Sequence, residues 1–212
     1  MRDRTPVLPT HEDDTAEEPI APSNLHHIGL KTARFEEMRT FYRDLLGVRP
    51  VLELAGSFGF YTFDLAHHRL FLLKDPSCTQ PVPSSAGMHH LAFLYNTIDD
   101  LIRMYQRLKR KGIFPLFAMN HGPNTSFYYQ DPDDNLIELL VDNLGADPRK
   151  GLEFFSQFQS NPALHGQLIN PESYLTAWQK GATLAELHEQ SFSGAFAEGA
   201  PPMPPRFFPR RG

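Results

Sequence analysis

The feature that most limits how this chain can fold is an internal repeat. The run LHHIGLKTARFEEMRTFYRDLLG, beginning at Leu25, aligns with MHHLAFLYNTIDDLIRMYQRLKRKG, beginning at Met88. Each copy opens with a His-His pair on a short apolar run, passes into an amphipathic stretch closed by a glycine, and is followed by three strand-like runs. Apolar residues three and four apart mark one face of a helix, whereas alternation marks a half-buried strand. The spacing predicts a helix presenting Phe35, Met38, Phe41, Tyr42, Leu45 and Leu46, with Gly47 as its left-handed cap. A second helix presents Leu101, Met104, Tyr105 and Leu108, with Thr97 and Asp100 as a capping box and Gly112 past its end. Strands are expected near 49–55, 58–65 and 68–74, then near 114–120, 125–131 and 135–142. The order βαβββ, twice, predicts an α+β fold. Its paired modules (24–75 and 87–142, within a domain spanning 24–144) curl into a half-open barrel around a shared cavity, with the helices outside.

The flanks differ in character. Residues 1–23 mix acids with prolines and 191–212 are rich in Gly, Pro and Arg, so both are expected to be mobile tails. Residues 145–190 carry helical patterning in GLEFFSQF, PESYLTAWQK and LAELHEQ, and are expected to form a helical extension. A net charge of −5 with no basic stripe argues against nucleic acid as a partner. No run approaches the ~20 apolar residues of a membrane span, and no signal-peptide core is evident. The single cysteine, Cys78, permits no intrachain disulfide, and a cytoplasmic location is expected.

Chemistry is concentrated at three positions. On a strand only one His of each adjacent pair can face the cavity, and the repeat aligns His27 with His90. In NLIELLVD one carboxylate, Glu138, lies inside an apolar run, where burial is costly unless the acid is paired or binds a metal. Two imidazoles and a carboxylate on neighbouring strands could occupy one face of an octahedral ion and leave three positions open, as in Fe(II) oxygenases. Each residue taken alone is equally well read as a core histidine or an edge-strand acid. It is their matching repeat positions that favour a metal site.

Residues 25–142 resemble the vicinal-oxygen-chelate superfamily, which includes glyoxalase I, fosfomycin- and bleomycin-resistance proteins and type I extradiol dioxygenases. Among these, the chain is most similar to single-domain 2,3-dihydroxybiphenyl and catechol dioxygenases, and SNPALHGQLINPESYLTAWQKGA resembles their C-terminal extension. The resemblance assigns the metal ligands to His27, His90 and Glu138, with Fe(II), or alternatively Mn(II), as the ion. The position of glyoxalase I's fourth protein ligand falls on Phe71 or Leu72, neither of which can coordinate. Fosfomycin-resistance transferases share the triad, so the triad alone leaves oxidative and non-oxidative chemistry open. The resemblance further implies an acid/base role for His68 in AHHRLF, and substrate contacts for His121 and Tyr128 in MNHGPNTSFYYQDPDDNLIEL. The expected partners are an aromatic diol and O2, in a homo-oligomer. Without the resemblance, His67 and His68 read as surface turn residues and Tyr128 as core packing. Phe58, Phe60, Phe63, Phe117 and Phe127 suggest an aromatic pocket, although alternation prevents all of them from pointing inward.

Overall fold

In a computed structural model of the protein, residues 20–82, 85–145, 147–158, 160–161 and 166–205 are described. Most of the expected tail 1–23, and residues 206–212, lie outside them. The first module runs β1 (Ile28–Thr32), α1 (Phe35–Leu46), β2 (Arg49–Leu54), β3 (Phe58–Thr62) and β4 (Leu70–Lys74). The second runs β5 (His90–Leu94), α2 (Ile98–Arg110), β6 (Phe117–Asn120), β7 (Asn124–Gln130) and β8 (Leu136–Asp142). The sheets have orders β1-β4-β3-β2 and β5-β8-β7-β6-β9, where β9 (Gln167–Leu168) comes from the extension. In each module the first and last strands pair in parallel and the other pairs are antiparallel. The α+β class and the paired βαβββ modules are thus as the repeat predicts, and the sheets form no closed barrel.

The helices form where their caps and stripes dictate. Phe35, Met38, Tyr42 and Leu45 are buried along α1, and Gly47 ends it at φ 67°, donating its N–H to Arg43. Thr97 caps α2 by accepting the Asp100 N–H, and Leu101, Ile102, Tyr105 and Leu108 form its buried stripe. One core spans both modules, because the two helices pack the same faces of their sheets against each other: Tyr61, Leu70 and Leu72 from the first, Phe127, Ile137 and Leu139 from the second. Lys111 pairs with Asp44 at 2.9 Å, and Tyr42 donates to Asp131 at 2.9 Å across the module boundary.

Asp131 organises the turn QDPDDN. Its Oδ1 accepts the N–H groups of Asp133 and Asn135, and Asp134 adopts φ 68°, a left-handed conformation that Asp tolerates.

The extension contributes α3 (Pro148–Phe158), β9, α4 (Pro171–Gln179) and α5 (Leu184–Phe192). Asn170 caps α4, and Thr183 with Glu186 forms a capping box on α5. The expected tail from 191 is anchored in the fold at Ser191 and Phe196, while much of 193–205 is exposed. Ser191 is fully buried, Phe196 is 6% exposed, and the Phe196 carbonyl accepts the Asn170 N–H. The apolar content of this stretch is low, but Phe196 fills a gap beside Tyr174, with ring centroids 5.5 Å apart. Phe196→Ala should therefore cost about 3 kcal/mol, read as a lower urea midpoint, whereas a loose tail would show no change.

Candidate metal centre

Each sheet has one face under its module's helix and one turned away from it, and parity along the strands sorts the candidate residues between them. On the face of the second sheet away from α2, Tyr128 lies opposite Glu138 and Glu138 opposite Ala92, and His90 shares the face of Ala92 two residues on. His90 Nε2 is 3.0 Å from Glu138 Oε2. The carboxylate is 4% exposed, and its other oxygen accepts from Ser126 Oγ and, at 3.2 Å, from Asn124 Nδ2. Burial pushes the Glu138 carboxyl up, but hydrogen bonds from His90 and Ser126 outweigh it and hold the group below its ordinary value. The hydrogen bond to Glu138 correspondingly raises His90, against the opposing effect of burial. The two shifts agree in favouring a carboxylate–imidazolium pair.

His121 lies just past β6, with Nε2 2.7 Å from the Tyr128 hydroxyl. Burial lowers its pKa, and burial together with the nearby Glu138 charge raises that of Tyr128. His121 and Tyr128 are thus held as a neutral hydrogen-bonded pair beside an anion. Phe117 stacks on Tyr128 at 4.3 Å with the planes 13° apart. The loop carrying His121 is fixed by Gly122, at φ 96°, where a Cβ would lie 2.2 Å from the Phe154 ring of α3.

His27 and His68 belong to the first sheet. His27 has the parity of Gly29, which pairs with Phe71, and so lies on the face that α1 leaves open. Its ring is 4.3 Å from that of His68, which in turn rests 4.9 Å from Phe60. Burial, then the neighbouring imidazoles, lowers the His68 pKa. Among the described residues the one group of three potential ligands with all ligand atoms within 4.8 Å of one another is His26, His27 and His68. His27, His90 and Glu138 do not form such a group in the single chain. His27 lines a cavity of about 1040 Å³ together with Ala92–Tyr95 of β5. The close contacts among the six expected residues fall in two groups: His27 with His68, and His90 with Glu138 and His121 with Tyr128.

The second group suits a divalent ion. Two ligand atoms ~2.1 Å from an octahedral ion and at right angles lie ~3.0 Å apart, which is the separation of His90 Nε2 and Glu138 Oε2. Of the expected aromatic residues, Phe58 and Phe60 lie on the open face of the first sheet and Phe117 on that of the second, while Phe127 is in the core. Phe63, 43% exposed, packs on Phe93 instead. Sequence reasoning missed Ser126 and Asn124. The signal was available in period two, since Asn124, Ser126 and Tyr128 alternate along one strand.

Paired βαβββ modules with a buried acid beside an imidazole define a recognisable class of protein. Residues 24–139 match the Glyoxalase/Bleomycin resistance protein/Dioxygenase superfamily, and the chain belongs to it. It is 48% identical over 118 residues to biphenyl-2,3-diol 1,2-dioxygenase 2 of Rhodococcus globerulus, a match spanning 55% of this chain and 62% of that protein's length. It is 34% identical over 171 residues to biphenyl-2,3-diol 1,2-dioxygenase 3 of the same organism, covering 80% of this chain and 89% of the relative. A solved glyoxylase/bleomycin resistance protein/dioxygenase domain from Frankia sp. EAN1pec aligns over 57% of this chain and 93% of its own, at 17% identity and a TM-score of 0.49.

The His90–Glu138 pair makes a direct prediction for the metal-free protein. Followed by NMR, His90 should titrate above an ordinary histidine. Glu138→Gln should bring it below that value, because only the burial effect then remains. An unchanged His90 titration in the variant would show that the two groups are not coupled.

Proposed function

We propose that the protein is an Fe(II)-dependent extradiol dioxygenase that opens the ring of a catechol-type diol with O2. The observation that carries this reading is the convergence, on one sheet face, of the charged His90–Glu138 pair with the neutral His121–Tyr128 pair. The two Rhodococcus globerulus relatives named as biphenyl-2,3-diol dioxygenases support it.

His27, His90 and Glu138 would hold the ion, a donor set that Mn(II) also accepts. Such an ion would supply Lewis acidity that favours loss of a diol hydroxyl proton. Ser126 and Asn124 fix the Glu138 carboxylate, leaving the oxygen beside His90 for coordination. His68, whose surroundings disfavour its charged form, is a free base at neutral pH. It accepts the second hydroxyl proton and returns it as the ring opens. Tyr128 and His121 hydrogen-bond the substrate oxygen. Phe60, stacked on Phe71 at 5.0 Å, offers an aromatic wall beside His68. The balance is one diol plus one O2 giving a ring-opened semialdehyde acid that retains both oxygen atoms.

A non-oxidative transferase would use the same donors. It gains some support from 28% identity over 123 residues to glutathione transferase FosA of Serratia marcescens. Oxygen uptake separates the two. Protein loaded with Fe(II) without air, then given O2 and a panel of catechols, should consume oxygen and release yellow ring-fission products; no uptake with any catechol would refute the dioxygenase reading. His68→Ala should keep its iron and lose ~10²–10⁴-fold in turnover. Ser126→Ala should weaken iron binding by ~10–100-fold, measured by metal retention on dialysis against a chelator.

A further inference from the structure

The first module carries two His-His pairs, and the proposed reaction uses one histidine from each, leaving His26 and His67 without a part. The pairs precede neighbouring strands. β1 and β4 run parallel with Ile28 beside Leu70, so His26 with His27 and His67 with His68 arrive at the same end of the sheet. Strand alternation begins only at Ile28 and so does not turn His26 away from His27. Arg69 ties the two approaches together. It donates to the His26 carbonyl at 2.9 Å, pairs with Asp64 at 2.9 Å, and through its own carbonyl accepts the Ile28 N–H. Four imidazoles are thereby crowded, with ring centroids 4.5 Å apart for His26 and His67, 4.3 Å for His27 and His68, and 4.5 Å for His67 and His68.

Within this crowd one ligand atom from each of His26, His27 and His68 lies within 4.8 Å of the others. Nitrogens bound tetrahedrally to one zinc ion sit ~3.3 Å apart, and the exposed rings of His26 and His27 are free to turn by that difference. His67 Nδ1 lies 2.6 Å from His68 Nδ1, which engages that edge of the His68 ring and leaves Nε2 for an ion. The three donors are all imidazole nitrogens, on which zinc binds more tightly than Fe(II) or Mn(II). The carboxylate beside His90, by contrast, suits the harder ion of the proposed iron centre.

We propose that His26, His27 and His68 form a second metal site, one that takes zinc and switches the protein off. The zinc site and the proposed iron centre exclude each other, because His27 belongs to both. Zinc on the three imidazoles withdraws His27 from iron and occupies the lone pair with which His68 would accept a proton. The binding stands on the imidazoles alone; its inhibitory effect rests on the proposed dioxygenase reading.

Zinc titration of the metal-free protein, followed by calorimetry and by NMR of the histidine rings, tests the site. The first equivalent should move the signals of His26, His27 and His68 together. Glu138→Gln, which disables the proposed iron centre, should keep this event, and His26→Ala should abolish it. His26 is exposed, and His26→Gln repeats the measurement if the alanine variant is unstable. A wild type that binds no zinc would overturn the proposal. So would zinc binding that survives both His26 substitutions unchanged, or that disappears in a folded Glu138→Gln protein. The inhibition is read on the iron itself. Protein loaded with Fe(II) without air and then given zinc should lose its iron on desalting, whereas His26→Ala should keep it; equal loss from both would overturn the inhibitory role. A protein that binds zinc on the three imidazoles but never takes up iron leaves the zinc site standing and removes the iron centre, and with it the inhibition.

Discussion

One helix per module can cover only one face of its sheet, and the rest of the structure follows from that shortage. The covered faces are mainly apolar, Thr32, Asn120 and Thr125 excepted, and merge into one core through α1 and α2. The polar groups of the candidate site gather on the opposite faces, where strand alternation delivers every second residue. His27, His90, Ser126, Tyr128 and Glu138 all have that parity. The repeat thus fixes the side of the sheet on which reactive groups can appear, and residue identity decides what they do there.

The two buried carboxylates show how differently similar burial can be resolved. Asp131, 3% exposed, accepts from Tyr42, from the Asn135 side chain and from two backbone N–H groups, yet burial still dominates and its pKa is raised. Its partners are neutral dipoles, and it serves to fix a turn. Glu138, 4% exposed, has a titratable imidazole among its partners and keeps its charge. A buried anion stabilised chiefly by a group that can itself bind a cation is suited to exchange that partner for an ion, whereas Asp131 has nothing to exchange.

The fold was largely legible because its signals are periodic and local: the stripes of α1 and α2, the Thr97 cap, Gly47, and the left-handed Asp134 are all written within a few residues. Positions on a face were legible for the same reason, which is why His90, Glu138 and Tyr128 fall together. The relation between the modules was not legible. Whether His27 reaches His90 depends on how two sheets are oriented, and that is set by α1–α2 packing and contacts such as Tyr42 with Asp131, 89 residues apart. The packed stretch around Phe196 was hidden too, because a few apolar residues among Gly, Pro and Ala carry no periodicity. Strand β9, two residues long, is too short for any pattern.

That short strand has a consequence beyond the site. Each sheet has two edge strands with backbone groups available to a stray partner, and one edge of each sheet is protected by a different means. The first sheet ends on β2, where Pro50 lacks an N–H and the pairing register shifts between Pro50 and Leu52. The second sheet would end on β6, which carries no proline or charged residue, and β9 instead pairs with Met119 and Asn120. The extension thus acts as a built-in guard against strand addition. A chain shortened before Gln167 would retain every candidate ligand and yet offer a bare, adhesive rim, so its solubility would fail before its chemistry did.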